Sequence, residues 1–175
     1  YFQGAQNFPF ESQATEFSWV NSWWLSDAAF LAYTDQAFAQ QQTAAAGLTE
    51  FAYFDVNETQ CYVANNDEFA IMSCRGTESF SLADWATDFD YTLVPAQNGG
   101  NIHQGFKVAL DDVWAPLSAH VATLKAEGKT LWFTGHSLGG ALAQAAADRI
   151  CLSTASCEVD GVYTYGSPGT GDQAY

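Results

Sequence analysis

The sequence is poor in basic residues. It has only five lysines and arginines against 20 aspartates and glutamates, which gives a formal net charge of −15. A surface of this sign repels phosphate backbones and anionic lipid head groups, so nucleic acid is not expected as a partner. The acidity most simply indicates a solvated surface, suited to a salty or cold habitat.

Long apolar runs are also missing. No stretch approaches the roughly 18 consecutive apolar residues that a membrane-spanning helix needs, so no such helix is predicted. Residues 1–4, Tyr-Phe-Gln-Gly, are typical of the remnant of a cleavable purification tag and are left out of the fold argument. The remaining residues, 5–175, suit one domain with a sizeable core.

Cysteine is scarce, but its number is even, at four. Cys61 and Cys74 lie near the outer ends of two strand-like runs, and Cys151 and Cys157 flank a short polar loop. Two local disulfides would fit a secreted or periplasmic protein. Four buried thiols are the alternative, because sequence alone cannot fix the connectivity.

The apolar pattern predicts strands that alternate with helices. The predicted elements are, in order, a helix over 17–46 that Gly47 ends, strands at 50–56, 60–65 and 68–76, an irregular connection over 78–101, an extended piece at 102–106, a helix over 106–127 with a kink or break at Pro116, a strand at 130–134, a helix over 138–150 and a strand at 161–166. This order is typical of an α/β sheet with helices packed on its faces.

A G-x-S-x-G motif stands between the strand at 130–134 and the helix at 138–150. It reads Gly135-His136-Ser137-Leu138-Gly139. The motif alone is a weak signal, but a strand directly before it and an Ala-rich helix directly after it favour a serine nucleophile on a strained turn. The two glycines are expected because side chains there would collide with each other or with nearby backbone. A serine that merely caps a helix would not need them.

Five segments together carry a resemblance to a known family. They are Arg75-Gly76-Thr77, Asp84-Trp85-Ala86-Thr87-Asp88, Ile102-His103-Gln104-Gly105-Phe106, Thr134 to Ala141, and Tyr163-Thr164-Tyr165-Gly166-Ser167-Pro168. In this order, over about Tyr53 to Tyr175, they resemble the class 3 (filamentous-fungal type) lipases in a bacterial-looking version. The resemblance implies an α/β-hydrolase fold, with a central, mostly parallel sheet and helices on both faces, of which this chain covers only the N-terminal part.

The resemblance also implies roles for single residues. Ser137 would attack the ester carbonyl, and the backbone N–H groups of Leu138 and Thr77 would form the oxyanion hole, to which the Thr77 hydroxyl would also contribute. Asp88 and Trp85 would support this hole from a lid, which is expected over about 78–90. The lid would cover the site in water and open at a lipid surface.

No histidine follows Ser137. In α/β-hydrolases the triad runs Ser, then Asp or Glu, then His, so the histidines that precede the serine are interpreted as structural: His103, His120 and His136. The later acidic residues match no catalytic position of the family: Asp148, Glu158, Asp160 and Asp172, of which the last is interpreted as a helix cap. The chain is therefore expected to end before its catalytic Asp and His, and to associate with its own C-terminal segment.

The predicted function is hydrolysis of lipid esters, as by a triacylglycerol lipase, through an acyl-enzyme on Ser137. No metal or organic cofactor is implied, and the expected partners are a lipid or small ester and a lipid–water interface. An esterase for soluble or phenolic esters and a phospholipase A1 share the scaffold and remain alternatives. A catalytically inactive binding relative is the rival from another class, because the histidine is absent.

Overall fold

The computed structural model describes residues 1–77, 92–97, 99–152 and 158–175. Within these ranges the chain forms four helices, α1 (Trp19–Leu31), α2 (Gln36–Ala45), α3 (Gln104–Ala126) and α4 (Leu138–Leu152), and seven strands, β1 (Glu50–Val56), β2 (Thr59–Asn65), β3 (Phe69–Cys74), β4 (Leu93–Pro95), β5 (Asn101–His103), β6 (Thr130–His136) and β7 (Gly161–Tyr165). Among the described helices, none has the length and apolar character that a bilayer crossing requires.

Five strands form the central sheet, in the order β1-β2-β3-β6-β7. Strands β1 to β3 are an antiparallel meander, whereas β3, β6 and β7 run parallel. Cys74 at the end of β3 lies opposite Gly135 near the end of β6. The carboxyl ends of these parallel strands therefore meet at one edge of the sheet, where α/β folds place their ligands.

Helices cover both faces of the sheet, as predicted. Ile71 and Trp132 project toward α1 and α2, while Met72 and Phe133, one position further along the same strands, project toward α3 and α4. This follows from the two-residue period of a strand. The α3 stripe predicted from sequence is buried against the sheet: Leu110, Val113, Leu117, Val121 and Leu124.

The predicted single helix over 17–46 is wrong, because the structure has two helices there. The chain leaves helical hydrogen bonding after Leu31, and Asp35 begins the second helix, its carboxylate accepting the N–H of Phe38 at 2.9 Å. An aspartate in this position satisfies a backbone donor that a helix start leaves open. The break leaves Tyr33 in the connection, outside either helix.

The structure also shows where α3 begins, how it continues through Pro116 and where residues 1–4 lie. The piece expected to be extended to Phe106 turns helical at Gln104, because the His103 imidazole accepts the N–H of Gly105 at 3.2 Å and caps α3. The expected break at Pro116 does not occur, since α3 runs through it with apolar residues buried on both sides. Residues 1–4 pack on the α1 side, where the rings of Phe2 and Trp24 lie 5.1 Å apart.

Side-chain hydroxyls attach α1 to the sheet. Tyr62 and Ser73 donate to the Ala28 carbonyl at 2.7 Å and 3.1 Å, and Thr134 donates to the Leu25 carbonyl at 3.0 Å. All three hydroxyl residues are buried. Because a buried donor without an acceptor is costly, these bonds fix the position of α1 along its own axis.

A disulfide joins β2 to β3, as predicted. Cys61 and Cys74 are register partners in the two strands and are bonded through their sulfurs. The predicted Cys151–Cys157 bridge includes residue 157, which lies outside the described residues, so it stays a prediction.

Removing this disulfide should destabilise the domain. The two cysteines are 13 residues apart, and the chain-entropy relation gives about 3 kcal/mol for a loop of this size. We expect the double variant Cys61→Ala/Cys74→Ala to lose roughly this free energy of unfolding in urea titrations. A loss of less than about 0.5 kcal/mol would contradict this expectation. It would mean that residual pairing of the two strands restricts the unfolded chain as much as the disulfide does.

Candidate active site

Ser137 occupies a one-residue turn between β6 and α4. Its φ is +56°, in the left-handed region that a non-glycine residue rarely adopts. The Ser137 N–H donates to the Tyr165 carbonyl of β7 at 2.9 Å, and the Ser137 carbonyl accepts the N–H of Gly140 at 2.9 Å. A strained serine on a strand-to-helix turn is the arrangement of a nucleophile elbow.

The glycines beside the serine are required by backbone contact, as predicted. A Cβ built at Gly135 would overlap the backbone of Gly139, and a Cβ built at Gly139 would overlap the carbonyl of Cys74. A Cβ at Gly140 would lie 2.8 Å from the Cβ of Ser167. The start of α4 is thus pressed against the ends of β3 and β6.

Thr77 and Leu138, the expected oxyanion donors, lie at the same edge of the sheet. Thr77 follows β3 and is exposed, while Leu138 is the first residue of α4. Strands β3 and β6 pair in parallel, so the segments that follow them, with Thr77 and Leu138, lie side by side. Gly139 also approaches the Cys74 carbonyl so closely that a Cβ there would overlap it. The N-terminus of α4 adds the positive end of a helix dipole, which favours a developing oxyanion.

The predicted lid, over about 78–90, lies outside the described residues. Trp85 and Asp88, the residues expected to support the oxyanion hole, lie in the range 78–91, which the structure does not describe. Their roles stay predictions.

His136 is directed toward α1 although it is next to the serine in sequence. Its Nδ1 lies 2.9 Å from the hydroxyl oxygen of Tyr33, and its ring packs on Phe30 with centroids 4.7 Å apart. His103 caps α3, as described above. The ring of His120 packs against that of Phe54, with centroids 5.9 Å apart. Each of the three histidines therefore contacts another part of the fold, and their interpretation as structural residues stays a prediction.

The environment of His120 predicts a pH dependence of stability. Burial lowers the pKa of His120, although Glu127 and Glu50 oppose this effect. A base with a lowered pKa in the folded state stabilises the fold fully above its unfolded pKa of about 6.5, and this contribution is lost as pH falls below that value. We expect His120→Gln to show a smaller loss of unfolding free energy between about pH 7.5 and pH 5.5 than the parent protein. Urea titrations at the two pH values measure this loss for both proteins. The same loss of unfolding free energy in the parent protein and in His120→Gln would contradict this assignment.

Two of the acidic residues after the serine, Asp160 and Asp172, make hydrogen bonds to the backbone. Asp160 accepts the N–H of Leu131 at 2.8 Å. Leu131 lies near the start of β6, whereas Ser137 follows the other end of that strand. Asp172 accepts the N–H groups of residues 174 and 175, each at 3.0 Å, in the manner of a cap, although the chain forms a turn there and not a helix. Hydrogen bonds from Asn101 and from the backbone hold the pKa of Asp172 below its usual range.

The chain is similar to known proteins. The family described as Lipase (class 3) matches residues 71–175. A secreted mono- and diacylglycerol lipase of Fusarium solani is 35% identical over 124 residues, which cover 65% of this chain and 34% of that protein. A triacylglycerol lipase of Arabidopsis thaliana is 32% identical over 143 residues, which cover 59% and 28% of the two chains.

A solved structure, lipase II from Rhizopus niveus, superimposes with a TM-score of 0.68 at 21% identity, covering 86% of this chain and 63% of that one. This likeness confirms the predicted α/β-hydrolase fold. The match spans about a third of the length of each of these two relatives, 34% and 28%.

Proposed function

Because the chain belongs to the class 3 lipase family, we propose that it carries the nucleophile of a serine hydrolase that cleaves carboxylic esters of lipids. The observation that carries the proposal is the positive φ of Ser137 between β6 and α4. Such strain persists only where the surroundings enforce it, and here packed glycines on both sides do so. The two curated relatives are both named as acylglycerol lipases, which supports a lipid ester as the substrate.

In the proposed reaction the Ser137 oxygen bonds to the ester carbonyl carbon and its proton passes to an imidazole. The tetrahedral oxyanion accepts hydrogen bonds from the N–H groups of Leu138 and Thr77, and the alcohol then leaves with the proton. Water attacks the acyl-enzyme and releases the fatty acid. This chemistry requires no metal ion and no organic cofactor.

We propose that the triad base and its carboxylate lie in the part of the family's length that this chain does not span. All three histidines of the sequence precede Ser137, whereas the hydrolase order places the base after it. The C-terminal segment that contains them would associate with the edge of the sheet at β7. Asp88 and Trp85 are proposed to support the Thr77 donor from a lid.

The proposed setting is a lipid–water interface outside the cytoplasm, secreted or periplasmic. The Cys61–Cys74 disulfide supports an oxidising compartment. With a formal net charge of −15, the protein should prefer neutral or zwitterionic interfaces over anionic ones. A surface charge of this size also opposes nonspecific binding to nucleic acid.

The substrate class is tested by comparing the hydrolysis of one short-chain triacylglycerol in solution and as an emulsion. For the protein together with its proposed C-terminal segment, we expect the rate of fatty acid release from a short-chain triacylglycerol to rise several-fold once its concentration exceeds the solubility limit, because an emulsion supplies the interface. A rate that saturates below that limit would indicate an esterase for soluble esters. Preferential release from phospholipid would indicate a phospholipase A1, and no release from any ester would indicate a binding protein.

A further inference from the structure

The hydroxyl of Tyr33 occupies a junction that the proposed reaction does not explain. Tyr33 lies in the connection between α1 and α2, and its ring is half-buried. Its oxygen is 2.9 Å from Nδ1 of His136 and 3.4 Å from the His136 carbonyl oxygen. The residue thus links the end of α1 to the residue that directly precedes the proposed nucleophile.

The same hydroxyl contacts the end of β3. A Cβ built at Gly76 would overlap the Tyr33 hydroxyl and would lie 2.7 Å from the His136 carbonyl oxygen. Burial raises the pKa of the Tyr33 phenol, although Arg75 and a hydrogen bond from the Gly76 backbone oppose the rise. The phenol therefore keeps its proton at neutral pH and remains a donor.

The Tyr33 hydroxyl has several hydrogen-bond partners at this junction. A phenol has one proton to donate and lone pairs that accept. Its oxygen accepts from the Gly76 N–H, and its O–H has the His136 carbonyl oxygen within reach, and Nδ1 of His136 when the imidazole proton is on Nε2. The His136 ring is held between Tyr33 and Phe30.

The support beneath Tyr33 is rigid. The buried hydroxyls of Tyr62, Ser73 and Thr134 hold α1 against the sheet through the carbonyls of Leu25 and Ala28. Tyr33 lies two residues after the end of this anchored helix, and its N–H donates to the Phe30 carbonyl at 3.2 Å. A group that is fixed in this way can set the position of its neighbours to within a fraction of an ångström, as a preorganised site requires.

We infer that Tyr33 is a positioning residue of the oxyanion hole. Gly76 directly precedes Thr77, and His136 stands two residues before Leu138, so the hydroxyl of Tyr33 holds both proposed donor segments at a fixed separation before the substrate arrives. The inference rests on the proposed ester hydrolysis. Because donors fixed in advance act on the charge that develops in the transition state, loss of the hydroxyl should lower kcat more than it raises KM.

The test uses Tyr33→Phe, which removes only the hydroxyl, in the protein together with its proposed C-terminal segment. We expect kcat for ester hydrolysis to fall by about 10- to 100-fold, with KM changed by less than about twofold. The matched control is Tyr163→Phe, whose hydroxyl accepts the N–H of Ser18 at 3.0 Å at the opposite end of α1. This control should keep the parent kcat.

A second readout does not depend on catalysis. This sequence has three histidines, so few imidazole nitrogen NMR signals have to be assigned. We expect Tyr33→Phe to shift the His136 nitrogen signals and leave those of His103 and His120 in place. If Ser137→Ala leaves hydrolysis intact, the proposed function fails, whereas these signals still report on the junction.

A parent-like kcat in Tyr33→Phe overturns the inference, whether or not the His136 signals shift. Unchanged His136 signals overturn it as well. If Tyr33→Phe does not fold, the pair His136→Gln and His136→Ala replaces it, since glutamine retains a side-chain acceptor for the Tyr33 hydroxyl. We then expect kcat to fall further in His136→Ala than in His136→Gln, and equal values for the two variants contradict the inference.

Discussion

In the protein together with its proposed C-terminal segment, which supplies the triad base, Ser137→Ala should remove ester hydrolysis while leaving the fold unchanged. Alanine keeps the Cβ that already tolerates the φ of +56°, so only the nucleophilic oxygen is lost. We expect the rate to fall by roughly 10³- to 10⁶-fold, the range found when a triad serine is removed. Initial rates of fatty acid release, at equal concentrations of folded protein, measure the effect.

The control for this variant is Ser167→Ala. Ser167 lies close to the start of α4 and interacts with the side chain of Gln144 at 3.2 Å, but it is not on the elbow. Its loss should change the rate only a few-fold. Near-parent activity in Ser137→Ala, or a large loss in Ser167→Ala alone, would place the nucleophile elsewhere.

Gly139→Ala should disable the site by moving the elbow. Its new Cβ would overlap the carbonyl of Cys74, so α4 or the end of β3 has to shift. A displacement of about 1 Å in a catalytic group can cost 10²-fold in rate, and overpacking typically costs about 1–3 kcal/mol of stability. We expect both losses, measured by ester hydrolysis and by urea unfolding.

Gly169→Ala provides the matched comparison. A Cβ at Gly169 would meet no atom within 4 Å, and the residue does not have a left-handed φ. This variant should therefore keep both activity and stability. If the two glycine variants behave alike, close backbone contact is not the reason for glycine in the motif.

The sequence predicted the elbow because the requirement is local. The strand, the strained serine and the two glycines lie within ten residues, and steric overlap between near neighbours can be deduced without knowing the rest of the fold. The Cys61–Cys74 pair was likewise accessible, since a short antiparallel hairpin places its outer ends together. These predictions depend on short-range geometry and are confirmed by the structure.

Tyr33 could not be found in this way. The predicted helix over 17–46 includes Tyr33, because apolar spacing alone does not indicate the break at Asp35, which caps α2. The pair Thr34-Asp35 is the one local feature that indicates this break, because aspartate is typical of a helix start. Even with that break recognised, the contact with His136 spans 103 residues of sequence, and only the packing of α1 on the sheet establishes it.

Labelling with a fluorescent organophosphonate tests the central claim most directly, because the reagent forms a covalent bond only to an activated nucleophile. The labelled protein is digested, and peptide mass spectrometry locates the modified residue. In the protein together with its proposed C-terminal segment, which supplies the activating base, the account predicts one label per chain on the peptide that contains Ser137, and no label in Ser137→Ala. A label on any other serine, or unchanged labelling in Ser137→Ala, would contradict it.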